Sequence, residues 1–188
     1  MKRIIILVAA ILLFSCATTK SNFLVVSSIN KETNHFPSNK QAKVVLERKI
    51  NLFKERELFV VPSGDNGEGE FFKKMVSQFG YFKKIVDMDE YEKELRDQKE
   101  LTYKEGIKNQ KIDIKPFLIL TFKKRHDGND QYMQIVVTEK TTWDDCFIAE
   151  IEYFKSKSLI DLKDESLWNP LLNSFSDYIQ EYGKIKYL

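Results

Sequence analysis

Apolar residues occur along the chain in two patterns, one typical of strands and one typical of helices. Four consecutive apolar residues at 58–61, followed by a Pro-Ser-Gly turn, predict a buried strand. Apolar residues then recur at helical spacing over residues 71–79, and Gly80 is placed to end that helix. Residues 81–88 predict a second strand.

A charged helix and three antiparallel strands are predicted next. Asp89 lies three residues before Glu92, a capping-box spacing that indicates a helix extending to about Lys108. Apolar runs and alternation indicate three strands, at residues 117–122, 133–137 and 147–153. A turn at residues 126–129 contains an Asp-Gly pair, which indicates that the first two of these strands form a hairpin.

The last predicted element is a helix that packs against the sheet. Asn169 is a suitable N-cap, and Pro170 suits the first helical turn. The apolar stripe of this helix consists of Trp168, Leu171, Leu172, Phe175, Ile179 and Tyr182. The order β-α-β-α-β-β-β-α predicts an α/β (or α+β) two-layer sandwich with helices on a mixed sheet. Residues 44–53 precede this series and are compatible with either a strand or a short helix.

The first 15 residues have the pattern of an export signal. Lys2 and Arg3 are followed by an uninterrupted apolar run over residues 4–14. This run is shorter than the ~20 residues that a helix needs to span a bilayer core. We therefore expect residues 1–15 to be a cleaved signal peptide.

The end of this run, Leu13-Phe14-Ser15-Cys16, resembles the lipobox of bacterial lipoproteins. The resemblance implies that Cys16 receives a diacylglyceryl group and becomes the first residue of the mature protein. We expect a lipidated Cys16 and tether over residues 16–43, and a single globular domain over residues 44–188. By likeness to lipoprotein sorting, Ala17 in place of Asp implies the outer membrane, facing the periplasm.

The globular part resembles a fold found in several envelope lipoproteins. The resemblance is carried by the order of elements, the Phe-Phe-x-x-Met-Val-x-x-Phe-Gly-Tyr-Phe passage at residues 71–82, and the C-terminal helix. Proteins with this fold include the curli secretion channel lipoprotein, the outer-membrane activators of peptidoglycan synthases and the N-terminal domain of the Tol–Pal translocation protein. The resemblance implies a fold and no particular activity, because one fold hosts many functions.

Removing the predicted signal peptide changes the charge of the chain. The whole chain has 30 Lys and Arg residues against 28 Asp and Glu residues. The signal peptide contains two of the basic residues and no acidic residue, so the mature chain has 28 of each. A neutral balance provides no excess of positive charge to neutralise phosphates, and we expect no nucleic-acid partner.

The two cysteines have different predicted roles. Lipidation of Cys16 leaves Cys146 as the only thiol, so no internal disulfide is possible. Cys146 begins an apolar run and is most simply a small buried residue. The alternative is an intermolecular disulfide or a reactive thiol.

The sequence contains no recognisable catalytic, metal-binding or cofactor-binding motif. His35 and His126 are far apart, and no potential ligands have zinc spacing. The acidic loop at residues 65–70 lacks the alternating ligands of an EF-hand. Ser63 follows a strand, but Val61 occupies the position where a nucleophile elbow requires Gly.

These observations predict a membrane-anchored, non-catalytic binding or assembly partner of another envelope protein or cell-wall component. Trp143 and Tyr132 are the candidate contact residues, because exposed aromatic side chains are enriched in interfaces. The alternative is a periplasmic small-ligand carrier or a hydrolase whose site forms only in three dimensions.

Overall fold

The computed structural model describes residues 26–104, 117–153, 162 and 164–183. Its elements are, in chain order, β1 (Lys43–Glu47), α1 (Leu52–Glu55), β2 (Phe59–Val61), α2 (Glu68–Ser77), β3 (Ile85–Asp87), α3 (Met88–Lys104), β4 (Leu118–Asp127), β5 (Asp130–Glu139), β6 (Asp144–Glu152) and α4 (Glu165–Tyr182). From β2 onward the order is the predicted one, and the ambiguous residues 44–53 contribute both a strand and a short helix. The predicted signal peptide, Cys16 and the first part of the tether lie outside the described residues.

The six strands form one mixed sheet in the order β1-β6-β5-β4-β2-β3. β2 pairs in parallel with β3 and with β4. The pairs β4–β5, β5–β6 and β6–β1 are antiparallel. All three residues of β2 are buried, as expected for a parallel strand that is covered on both faces. The predicted α/β sandwich with a mixed sheet is confirmed.

Two helices cover one face of the sheet and build the main core. Phe72 of α2 contacts Trp168 of α4 edge-to-face, with ring centroids 5.1 Å apart. Phe175 of α4 stacks on Phe59 of β2 at 5.5 Å. These side chains belong to a single apolar cluster that extends across the sheet from β2 to β6. Aromatic pairs of this kind add to the stabilisation that burial itself provides.

The opposite face of the sheet is covered by a helix only over its parallel part. Tyr91 of α3 packs on Phe117, with ring centroids 4.9 Å apart. The side chains of Val60, Val86 and Ile119 complete this smaller cluster. Neighbouring residues on a strand point to opposite faces, so β2 contributes Val60 here and its two flanking residues to the main core. α3 therefore adds a partial third layer to the predicted sandwich.

The capping box of α3 lies two residues before the predicted one. Asp87 accepts a hydrogen bond of 2.9 Å from the backbone N–H of Glu90, and Glu90 accepts one of 3.2 Å from the backbone N–H of Asp87. This is a reciprocal capping box in which Asp87 is the N-cap. The predicted box at Asp89 was wrong. Two acidic pairs with this spacing occur here, Asp87/Glu90 and Asp89/Glu92, and the position at which β3 ends determines which pair caps α3.

The last helix begins earlier than predicted. α4 begins at Glu165, so Pro170 lies inside the helix rather than in its first turn. The predicted N-cap, Asn169, is fully buried, and its Nδ2 donates to the carbonyl oxygen of Pro37 at 2.8 Å. The assignment was wrong because this side chain bonds to a distant segment instead of the helix's own first turn.

Part of the segment assigned to the tether packs against α4. Phe36 is buried, and its backbone N–H donates to Asn173 Oδ1 at 2.7 Å. The side-chain amide of Asn34 donates to Ser176 Oγ at 3.1 Å. The packed structure therefore includes residues that precede the predicted domain boundary at residue 44.

Gly128 forms part of the turn between β4 and β5. The β4–β5 hairpin closes through two residues, with Gly128 at a φ of 61° in the first central position. That conformation favours Gly and matches a type II′ hairpin turn.

Within the described residues, no helix is both long enough and apolar enough to cross a membrane.

Glu55, the last residue of α1, is a buried carboxyl group. Its side chain is 4 % exposed, and Oε2 has no hydrogen-bond partner. Burial raises the pKa of Glu55 from 4.5 to about 7, with a further contribution from the nearby charge of Glu139. The folded protein therefore binds more protons at this position than the unfolded chain between these two pH values.

Replacing Trp168 with Ala is expected to destabilise the protein by about 3–5 kcal/mol, because it opens a cavity at the centre of the main core. Trp143 provides a matched control, since its side chain is 64 % exposed. Trp143→Ala should change stability by about 0.5 kcal/mol or less. Urea unfolding followed by circular dichroism measures both, and similar losses in the two variants would contradict the described core.

The pKa of Glu55 predicts a pH-dependent stability. Stability is lost as pH rises from about 4.5 to about 7, because the unfolded chain releases the proton of this carboxyl group while burial keeps the folded carboxyl protonated. Glu55→Gln should therefore raise the free energy of unfolding by about 1–3 kcal/mol at pH 8 and by little at pH 4. Urea titrations at both pH values test this, with the exposed Glu152→Gln as control. Parallel pH–stability curves for wild type and Glu55→Gln would refute it.

Candidate functional site

Trp143 lies at the tip of the turn between β5 and β6. Its side chain is exposed, and its backbone adopts a φ of 61°, which bulky residues rarely do. The backbone N–H of Trp143 donates to the carbonyl oxygen of Glu139 at 2.8 Å. The amine of Lys140 lies 2.9 Å from the centroid of the indole ring. The turn therefore presents an aromatic side chain and a cation side by side in solvent.

Tyr132 lies near the start of β5 and supports a polar network. The guanidinium of Arg125 lies over its ring, 4.3 Å from the centroid. Arg125 Nε donates to Glu150 Oε2 at 3.0 Å, and Gln134 Nε2 donates to the same oxygen at 2.8 Å. Burial opposes the charged form of Glu150, but the hydrogen bonds from Gln134 and Arg125 hold its pKa below the usual value.

The structure places these two predicted contact residues near opposite ends of the β5–β6 hairpin. Tyr132 pairs with Glu152 at the open end, whereas Trp143 lies in the connecting turn. Seven residues of strand separate Tyr132 from Glu139, which corresponds to roughly 24 Å. The two side chains therefore do not form one continuous surface.

A groove of about 440 Å³ opens at the edge of the sandwich, between β1 and α4. Its walls come from residues 35–42, from β1 and from α4, and its lining side chains are mostly polar. The lining residues used below are Val44, Glu47, Pro170, Asp177, Tyr178 and Glu181. We call this feature the β1–α4 groove.

Within the described residues, the strand that borders the groove has one unpaired edge. β1 is the first strand of the sheet there and pairs only with β6. Val44 and Val45 are 43 % and 48 % exposed, and with Trp143 they are the exposed large apolar residues of the described part. Val44 lies opposite Ala149, a residue of the main core, so its side chain points to the α4 side of the sheet.

The charges along the groove are predominantly negative. Burial raises the pKa of Glu47, and the carboxylates of Glu181 and Asp177 raise it further. Asp177 contacts His35 Nε2 at 2.7 Å, but in the described part neither Glu47 nor Glu181 has a hydrogen bond or an ion pair. The lining also contains one lysine, Lys40, but within the described residues it forms no ion pair with Glu47 or Glu181. Three carboxylates and one lysine therefore leave the groove with a net negative charge.

A second cleft of similar volume lies on α2, and its charged lining is mainly cationic. Lys73 lines it and contacts three carboxylates at 3.0 to 3.2 Å, those of Glu70, Asp87 and Glu90. This network raises the pKa of Lys73 against the opposing effect of burial. Lys83 and Lys74 also line this cleft; Lys83 pairs with Glu57, whereas Lys74 has no ion pair among the described residues. The uncompensated charge of this cleft is therefore positive, whereas that of the β1–α4 groove is mainly negative.

Cys146 is fully buried within the sheet. Its Sγ lies 3.3 Å from the carbonyl oxygen of Val137, to which the thiol donates. Burial raises the pKa of Cys146 to about 12, so the thiol stays protonated and is a poor nucleophile. The prediction of a small buried residue is confirmed.

Among the described residues, no three His, Cys, Asp or Glu side chains are grouped to hold a metal ion.

Sequence reasoning did not identify the groove, because its walls come from two ends of the chain. Residues 35–47 and residues 170–181 meet only through the packing of α4. The available signal was local: two adjacent valines between Lys43 and Glu47, in a segment whose type was ambiguous. That pattern is common to edge strands and to short exposed helices.

Comparisons with known proteins identify no relative of this chain. It matches no protein-family model, no curated protein and no solved structure. The function is therefore argued from the groove, from the open strand beside it and from the charges that line it.

Proposed function

We propose that this chain is a lipid-anchored envelope protein that acts as a non-catalytic binding or assembly partner of another envelope component. Cys16 is the proposed point of attachment, on the basis of the lipobox-like sequence that ends there. The observation that supports binding is the open edge of β1 beside the β1–α4 groove. An unpaired strand edge offers backbone donors and acceptors that another chain can use.

The anchor would restrict the domain to a layer next to the membrane. Two or more acyl chains hold a protein stably, whereas one chain does so only marginally. A tether between the anchor and the domain raises the effective concentration of partners in that layer without adding contacts. We place the protein at the outer membrane, facing the periplasm, because Ala17 stands where an inner-membrane retention signal has Asp.

The alternative role of small-ligand carrier has less support from the geometry. The groove volume of about 440 Å³ falls within the range of ligand pockets. Such pockets are usually enclosed and mainly apolar, whereas this groove is open at a sheet edge and lined by charged side chains. These features favour a segment of a protein chain as the occupant.

Replacing Cys16 with Ala is expected to release the protein from membranes or to stall its processing, because the thiol that carries the lipid is lost. Fractionation of carbonate-washed membranes, with mass spectrometry of the N-terminus, measures the effect. Cys146→Ala is the matched control and should remain membrane-bound. A processed Cys16→Ala protein that still fractionates with membranes would rule out the proposed anchor.

A photo-reactive amino acid at position 44 is expected to form a discrete adduct with an envelope component in intact cells, since Val44 lines the groove. The same amino acid at position 92, an exposed site on α3, serves as control. Combining position 44 with Cys16→Ala should reduce the adduct by removing the lipid anchor that concentrates the protein at the membrane. Absence of an adduct at position 44, or equal adducts at both positions, would contradict the proposed binding role.

A further inference from the structure

We infer that the β1–α4 groove takes an extended, positively charged segment of a partner protein, which lies along the open edge of β1. The inference rests on the proposed function and specifies the chemistry of the partner. Shape, apolar contact and charge each support it.

The shape of the site suits an extended chain. β1 is five residues long, and one of its edges has no neighbouring strand in the part of the chain that the structure describes. An added segment can form main-chain hydrogen bonds to such an edge while its alternate side chains enter the adjoining groove. Val44 and Pro170 provide apolar contact there, next to the almost fully buried ring of Tyr178.

The charge of the site selects cationic side chains. Glu47, Asp177 and Glu181 line the groove, and the last two disfavour ionisation of Glu47 because all three are acidic. The side chain of His35 contacts Asp177, and within the described residues Lys40, which also lines the groove, forms no ion pair with any of the three carboxylates. Lysine or arginine side chains from a partner would relieve this repulsion, which gives complementarity and orientation to the contact.

A second copy of the chain fits this surface less well. The register of β1 against β6 shifts between Val44 and Leu46, and irregular edges hinder direct strand-to-strand pairing of two copies. A two-fold pairing of β1 strands would also bring two carboxylate-lined grooves into one interface, where like charges repel. A partner segment of opposite charge avoids both problems.

The test uses the full-length, lipidated protein in detergent micelles. Fluorescence anisotropy measures binding of two labelled synthetic peptides, one of alternating Lys and Val and one of alternating Glu and Val. The cationic peptide should bind at least about tenfold more tightly than the anionic one. Its affinity should fall as salt is raised from about 0.05 to about 0.5 M, because the Debye length shortens from about 14 to about 4 Å over that range.

Charge-removing variants locate the binding site. The double variant Glu47→Gln/Glu181→Gln should weaken binding of the cationic peptide about fivefold or more, because both uncompensated carboxylates are removed. The control Asp65→Asn/Asp130→Asn makes the same change in net charge at exposed positions outside the groove lining and should leave affinity within about twofold.

Several outcomes would overturn the inference. Equal binding of the two peptides, or equal losses in the two double variants, would show that the groove does not select cationic segments. A concentration-dependent dimer, detected by light scattering, that excludes the peptide would assign the edge to a second copy. A position-44 adduct whose cross-linked segment lacks Lys and Arg would overturn this inference alone, whereas the absence of any adduct would reject the proposed function.

Discussion

The packing of α4 against the sheet is the interaction on which the other features depend. Trp168 and Phe175 are fully buried between this helix, α2 and the strands. Their rings contact aromatic residues from both layers, including Phe72 and Phe59. Without this helix, one face of the mixed sheet would expose a continuous apolar surface to water, which an isolated sheet cannot sustain.

The polar side of the same helix organises the N-terminal part of the chain. Asn169 and Asn173 donate to backbone carbonyl oxygens of residues 36–37, and Tyr178 donates to that of Arg48 at 2.7 Å. These bonds hold the segment before β1 along the helix and hold the end of β1 close to it. The β1–α4 groove is the space left between elements joined in this way.

The charged clusters of the surface differ in whether partners of opposite charge compensate them. Glu150 and Lys73 are each surrounded by partners that satisfy them, so their clusters stabilise structure. Glu47, at the end of the edge strand β1, and Glu181, in α4, lack such partners in the described part. Electrostatic complementarity of this kind contributes mainly to specificity and association rate. That suits the membrane-tethered binding partner that we propose.

The sequence by itself determined the order of elements from β2 to α4, because helical and strand periodicity are local properties of the chain. It also identified the export pattern and the lipobox-like Cys16. Tertiary structure decided which acidic pair caps α3, where α4 begins, and that residues 26–37 belong to the packed structure. It alone placed β1 at an edge and buried Glu55. These features depend on contacts between residues far apart in the chain, which local periodicity does not encode.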